Sequence, residues 1–288
     1  MHGSEWPAQG LHVDVLRLDQ LHPVVSGNKW FKLQHHLAQA RPGSPILTFG
    51  GAWSNHLVAT AFAAKERGLS SIGIIRGEAP ATLSATLHEA KNYNMQLEFI
   101  TRQQYAEKDQ PAFQQQLLHW FPSAYIIPEG GGGLPGITGS EDILRLTDTT
   151  TYTHILCAIG TGTTFMGLVR AASPGQKIIG VPVLKGIDSP AAVDPSSLLT
   201  KQQTARSQLL PGYHFGGYGR HPQPLLDFMN RLYADTGIPT DIVYTGKLFY
   251  AVIDCIRKQF FPTHSRLLII HSGGLQGNRS LSSGKLDF

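Results

Sequence analysis

The chain has 288 residues, enough for two lobes or one large α/β domain, and 41% of them are hydrophobic, enough for a substantial core. Its net charge of +4, from 24 basic and 20 acidic side chains, is spread along the chain. That spread excludes the clustered Lys/Arg footprint of a nucleic-acid binder, and no apolar run reaches the length of a membrane span. Cys157 and Cys255 lie in apolar runs and read as buried free thiols, not a disulfide. The 13 histidines come with no HExxH or CxxC spacing, so no metal is expected. The N-terminus has no basic segment followed by an apolar core, which makes a reduced cytoplasm the expected location.

Strands and helices alternate. Residues 13–18 read as a strand and 29–40 as a helix; 45–49 form an apolar strand ending in Gly50-Gly51. A strong Ala-rich helix spans 55–67, closed by Gly68, followed by strand 71–75, helix 82–93 and strand 96–100. Helix 111–121 and strand 124–127 lead to Gly130-Gly131-Gly132-Gly133, which suits a hinge or a close backbone approach. Beyond it come helix 137–146, strand 154–159, helix 163–172 and strand 177–182. Residues 183–221 read as irregular, 223–236 and 247–259 as helices, and 266–271 as a last buried strand; the polar tail from Ser280 reads as loose. This alternation implies α/β architecture, with mostly parallel sheets covered on both faces. The expected division is a larger domain of residues 1–40 plus 130–288 and a smaller α/β domain of residues 41–129.

Several short segments carry chemistry. Ser26-Gly27-Asn28-Lys29-Trp30-Phe31-Lys32-Leu33 places Lys29 after a glycine turn, at the start of an apolar helix. A lysine buried there is costly unless it loses its proton or meets a partner, and a neutral amine suits Schiff-base chemistry. Gly50-Gly51-Ala52-Trp53-Ser54-Asn55-His56 joins a strand to a helix. Ser54 or Asn55 as a plain N-cap is the simpler reading. The paired glycines and the free N–H groups of a helix start equally suit a substrate carboxylate. Gly160-Thr161-Gly162-Thr163-Thr164 repeats the design, with backbone amides and three hydroxyls forming an anion nest. It lacks the lysine of a Walker loop, which favours a cofactor monophosphate over a triphosphate; a capped tight turn would look the same. Tyr244 before a helix, Tyr218 on the Phe215–Gly219 glycine loop, and His271-Ser272-Gly273-Gly274 after the last strand would each be unremarkable alone. Ligands in open α/β sheets bind beyond the carboxyl ends of the strands, where these loops sit. Together they fit pyridoxal phosphate, with its aldehyde on Lys29, its phosphate in the 160–164 nest and its pyridine nitrogen near a hydroxyl of the last strand.

The ordered series GNKxxKL, GGxxSNH, GTGTT, GYG, VYTGK and HSGG, from about Val13 to Gly274, resembles the pyridoxal-phosphate family of D-cysteine desulfhydrase and 1-aminocyclopropane-1-carboxylate deaminase. The resemblance implies a tryptophan-synthase-β-like fold (fold type II), with two α/β lobes and the cofactor between them. It implies Lys29 as Schiff-base lysine and base, Asn55 on the cofactor's phenolic oxygen, and Ser54 next to the substrate, positioned for its carboxylate or for proton relay. It further implies Thr161, Gly162, Thr163 and Thr164 on the phosphate, Tyr244 stacked on the ring, Tyr218 as a second active-site tyrosine, and Ser272 on the pyridine nitrogen. Trp53, Ser54, Asn55, His56 and Tyr218 would line the substrate's place. The deaminase pattern has glutamate where Thr245 stands and leucine where Ser272 stands, so both positions point to the desulfhydrase side. Trp30-Phe31 replaces the usual Thr-Arg, and Trp53 replaces a common glutamine and would narrow the pocket. The expected activity is β-elimination from a small, D-cysteine-like amino acid, giving pyruvate, ammonia and sulfide. The rivals are the cyclopropane deaminase, a racemase or dehydratase with the same cofactor, and a phosphate-binding protein without catalysis. A homodimer is the family expectation.

Overall fold

The computed structural model describes residues 10–194 and 197–288; the first nine residues, assigned above to the larger domain, lie outside the described residues. Strand β1 (His12–Arg17) belongs to one sheet, and β2 (Ile46–Gly50), β3 (Ser71–Arg76), β4 (Met95–Ile100) and β5 (Tyr125–Ile127) form another. Strands β6 (His154–Ile159), β7 (Lys177–Pro182), β8 (Ser207–Leu209) and β9 (Arg266–His271) return to the first. The sheet orders are β1-β9-β6-β7-β8 and β4-β3-β2-β5, and every pairing is parallel. Parallel strands need crossovers. These carry helices α1 (Asn28–Gln39), α2 (Asn55–Glu66), α3 (Ala85–Asn92), α4 (Arg102–Ala106), α5 (Pro111–Trp120) and α6 (Gly133–Glu141). The larger sheet adds α7 (Thr163–Ala171), α8 (Pro190–Val193), α9 (Lys201–Ala205), α10 (Gln223–Thr236) and α11 (Thr245–Arg257).

The apolar runs of the central strands are explained by burial on both faces. Ile155, Cys157, Ile159, Ile178, Leu268 and Ile270 enter one core with Phe165 and Leu168 of α7. Their immediate neighbours Leu156, Ala158, Ile179, Val181, Leu267 and Ile269 enter the opposite core with Phe249 and Val252 of α11. A period of two therefore sorts one continuous apolar segment onto two helix layers.

Four expectations need correction. Residues 183–221 are not wholly irregular: β8 pairs with β7 in the register Ile178↔Ser207 to Gly180↔Leu209. Three residues, Ser-Gln-Leu, are too few to show alternation, so the neighbouring strand decides. The helix expected at 137–146 starts at Gly133 and tightens to a 3-10 turn over Asp142–Leu146. Its glycines oppose helix by propensity, but a Cβ on Gly136 would lie 1.9 Å from the Gly131 carbonyl oxygen and one on Gly139 2.1 Å from that of Phe31. Close packing against α1 thus overrides propensity. The helix expected from residue 82 begins at Ala85, because Ser84 accepts the Leu87 N–H as a cap. The tail is not loose: Phe288 packs on Tyr233 at 4.7 Å, and Asn230 bonds both the Lys285 carbonyl and the Asp287 N–H.

Candidate active site

The carboxyl ends of both sheets face one cavity of about 470 Å³. Lys29, Trp53, Ser54, Asn55, His56, Gly160, Thr161, Gly162, Thr164, Tyr218, Tyr244 and Ser272 all line it. Thr163 does not; it is buried behind the loop, its hydroxyl 3.1 Å from that of Thr161.

Lys29 owes its place to Gly27. That glycine has φ +67°, and a Cβ on it would lie 1.9 Å from the Ser272 carbonyl oxygen, so only glycine lets α1 start against the end of β9. The Asn28 N–H donates to that carbonyl at 3.1 Å. The Lys29 amine donates to Asn28 Oδ1 at 3.0 Å, and Asn28 Nδ2 donates to Thr164 Oγ1 at 2.9 Å, a chain from the amine to the anion nest. Removal from water pushes the Lys29 amine down to about 8, against the opposing charge of Asp241. One turn on, Lys32 is buried, donates only a long 3.3 Å bond to the Gly130 carbonyl, and is pushed well below its ordinary value by the same desolvation. Sequence reading missed both Asn28 and Lys32; the i, i+3 spacing of the two lysines on one helix face was the available signal.

In the nest, Gly162 is left-handed at φ +84° and caps α7; a Cβ there would lie 2.4 Å from Val193 Cγ1. A Cβ on Gly160 would lie 2.9 Å from Tyr244 Cε1, so the tyrosine ring rests against bare backbone. Tyr244 is fixed from below by Asp241, a wholly buried carboxylate that the motifs had not singled out. Asp241 accepts the N–H groups of Val243, Tyr244 and Thr245 at 2.9, 2.9 and 2.8 Å and the Thr245 hydroxyl at 2.7 Å. Thr245 is consumed in this ring and does not line the cavity. Burial pushes Asp241 up, opposed by these bonds, and desolvation pushes the Tyr244 phenol well up. Tyr218 stands at the rim, 55% exposed, edge-on to Tyr244 at 6.4 Å. Its loop is tied down by Lys247, whose fully buried amine donates to the Gly217 carbonyl at 2.7 Å.

The small-lobe loop has a different character. Ser54 is the N-cap of α2, yet its side chain makes no capping bond, so the simple cap reading fails for its hydroxyl. Asn55 Nδ2 bridges to the Gly274 carbonyl at 3.1 Å, while its buried Oδ1 has no partner among the described residues. Thr48 donates its one proton to the Ile127 carbonyl at 2.9 Å, so at 2.8 Å it accepts from His56 Nε2. This assigns the tautomer: His56 Nδ1 is a buried acceptor with no partner among the described residues, and burial holds the ring neutral by pushing it well below its ordinary value. Behind Ser272, the buried His271 bonds Asp19 through Nδ1 at 3.0 Å and the Pro239 carbonyl through Nε2 at 2.7 Å, steadying the 272–274 loop.

No family model matches the chain. A Pyrococcus abyssi protein, provisionally named a 1-aminocyclopropane-1-carboxylate deaminase, is 28% identical over 295 residues, covering 93% of this chain and 86% of its own. The mitochondrial bifunctional D-cysteine desulfhydrase/1-aminocyclopropane-1-carboxylate deaminase of Arabidopsis thaliana is 28% identical, covering 88% and 70%. Among solved structures, an ACC deaminase homologue superposes with TM-score 0.78 at 26% identity over 92% of this chain and 85% of that one. The Helicobacter pylori O-acetylserine-dependent cystathionine β-synthase, at TM-score 0.67 and 15% identity over 98% and 93%, shares the fold alone. The chain has the two-lobed parallel α/β fold of the type II pyridoxal-phosphate enzymes and resembles, over most of its length, the D-cysteine desulfhydrase and 1-aminocyclopropane-1-carboxylate deaminase family.

Proposed function

We propose that the protein is a pyridoxal-phosphate lyase that removes the β-substituent of a small amino acid, D-cysteine-like in the favoured case. With water, such a substrate gives pyruvate, ammonia and sulfide. One observation carries the reading: a lysine amine depressed to about 8 is linked through Asn28 to a left-handed glycine nest, in the same cavity as an unengaged helix-start serine.

The residues present fit this cofactor. Loop 160–164 offers the cradle for its phosphate, Lys29 the amine for its aldehyde, Tyr244 a ring face, and Ser272 a hydroxyl partner for the pyridine nitrogen. When bound, pyridoxal phosphate supplies a carbonyl that condenses with amines and a ring that accepts the electron pair released at Cα. Ser54 and the first N–H groups of α2 hold the substrate carboxylate, since those N–H groups have no partner within the helix. Lys29 is the base that takes the Cα proton, and its lowered pKa brings the amine closer to the neutral form that a base requires. Tyr218, at the rim above Tyr244, shields the site from water and holds a phenolic proton near the leaving group.

The second reading, 1-aminocyclopropane-1-carboxylate deaminase, draws on the names of the relatives. Thr245, which bonds Asp241 outside the cavity, supplies no carboxylate where the deaminase pattern has glutamate, and Ser272, which lines the cavity, stands where that pattern has leucine; both departures favour the lyase. The test is a visible-spectrum titration of the cofactor-loaded protein with D- and L-amino acids. Product assays on D-cysteine and the cyclopropane substrate would run beside it. Pyruvate from D-cysteine supports the lyase, 2-oxobutyrate from the cyclopropane the deaminase. A spectrum that no amino acid perturbs leaves a phosphate-binding protein without catalysis.

A further inference from the structure

Arg76 ends β3, the one exposed residue of an otherwise buried strand, and it lines the cavity. Among the described residues its guanidinium has no hydrogen-bond or ion-pair partner. Glu129, the acidic residue among the described residues that line the cavity, is already engaged: it accepts the Tyr105 hydroxyl at 2.9 Å through Oε1 and faces Lys108 at 3.5 Å through Oε2. In the parallel register Gly50 pairs with Ile75. Arg76 therefore sits one residue beyond the last position paired with β2, at the end of β3 beside the point where the chain leaves β2 for the Ser54 loop. The carboxyl ends of β2 and β3 thus present two anion-reading groups side by side: the start of α2, and an unpaired planar fork suited to an oxyanion.

We propose that Arg76 reads a second anionic group on the substrate, so that the preferred amino acid bears an oxyanion, a carboxylate or its like, on its β-substituent. This rests on the amino-acid reading above and narrows it from cysteine itself to acidic β-substituted amino acids. The phosphate of the cofactor is not the group concerned, because its nest lies on the other lobe, at residues 160–164. Trp53 and Tyr218 line the same cavity.

The test uses the cofactor-loaded protein and matched ligand pairs, aspartate against asparagine and O-phosphoserine against serine, each as both enantiomers. Binding is read from the cofactor's visible spectrum and from titration calorimetry. The charged member of a pair should bind about tenfold or more tightly than the neutral one, the scale of hydrogen bonds to charged groups. Arg76→Gln should erase the difference within each pair, and Arg76→Lys, which keeps the charge but not the fork, should keep part of it. Equal or weaker binding of the charged members, or a preference that survives Arg76→Gln, overturns the proposal. Neutral members that bind while charged ones do not overturn it and leave the lyase reading standing. If no amino acid of either kind binds, the lyase reading falls and the proposal falls with it.

Discussion

Two loops in this protein share one local design and end with opposite hydrogen-bonding character. Each runs from a fully buried strand through glycines to a helix start: β2 to α2, and β6 to α7. In the 160–164 loop the hydroxyls pair with one another and with Asn28, and Gly162 turns left-handed, so the loop surrounds its space with donors. In the 51–56 loop, Gly274 and Thr48 take the donors of Asn55 and His56, and two buried acceptors, Asn55 Oδ1 and His56 Nδ1, remain open. One loop presents donors; the other sets the N–H groups of a helix start beside open acceptors, the polarity that the proposed division between cofactor phosphate and amino acid draws on. Local sequence pattern sets the loop type, and contacts from distant segments set its polarity.

The comparison can be broken most severely at the residue between the loops. Lys29→Ala should remove the visible absorption of the bound cofactor and lower turnover by about 10²–10⁴-fold, the scale of a positioned acid–base group. An unchanged spectrum would sink the assignment. Gly162→Val tests the donor loop alone. Its left-handed backbone, costly by about 1–2 kcal/mol for a side chain, and the clash with Val193 should weaken the cofactor's affinity by about tenfold. Calorimetric titration of the apoprotein reads this directly. Ser54→Ala tests the other loop: KM should rise about tenfold while cofactor affinity stays the same, for loss of one bond to a carboxylate. If both substitutions damage cofactor binding equally, the division of labour between the loops is wrong.

A smaller effect is expected from pH. Burial pushes the amines of Lys29 and Lys247 each down to about 8 in the folded chain, against 10.5 in the unfolded one. Between these values the unfolded chain holds protons that the folded chain has released, so the apoprotein gains stability from about pH 8 upward. Thermal denaturation should show the rise, and Lys29→Met or Lys247→Met should each flatten it; a fall in stability over that window would contradict the burial of these amines. The smallest effect belongs to Arg279→Ala, which breaks the exposed ion pair to Glu89 that joins the 275–280 turn to α3. A loss of about 0–1 kcal/mol is expected from urea titration.

Most of the fold was readable in advance, because strands such as residues 154–159 are short apolar runs between polar or glycine-rich stops, here a threonine-rich turn before and Gly160-Thr161-Gly162 after, and parallel sheets bury such runs whole. The candidate site was readable wherever a glycine marked a backbone that no other residue could follow, as at Gly27 before Lys29 and Gly162 before α7. What escaped were residues whose importance comes from depth. Asp241 looks like any loop aspartate until four donors converge on it, and Lys247 like any helix lysine until its buried amine meets the Gly217 carbonyl.

The sequence by itself thus determined the alternation of strands and helices, the loops at their carboxyl ends and the lysine at the start of α1, since these follow from local backbone geometry and a period of two. Only the tertiary structure decided that Thr245 turns inward, that His56 turns Nδ1 away from Thr48, that Arg76 lines the same cavity as the Ser54 loop and that β8 pairs at all. Those outcomes depend on partners far away in the chain, and burial, which makes an unpaired polar group expensive, selects among them only once the two lobes have met.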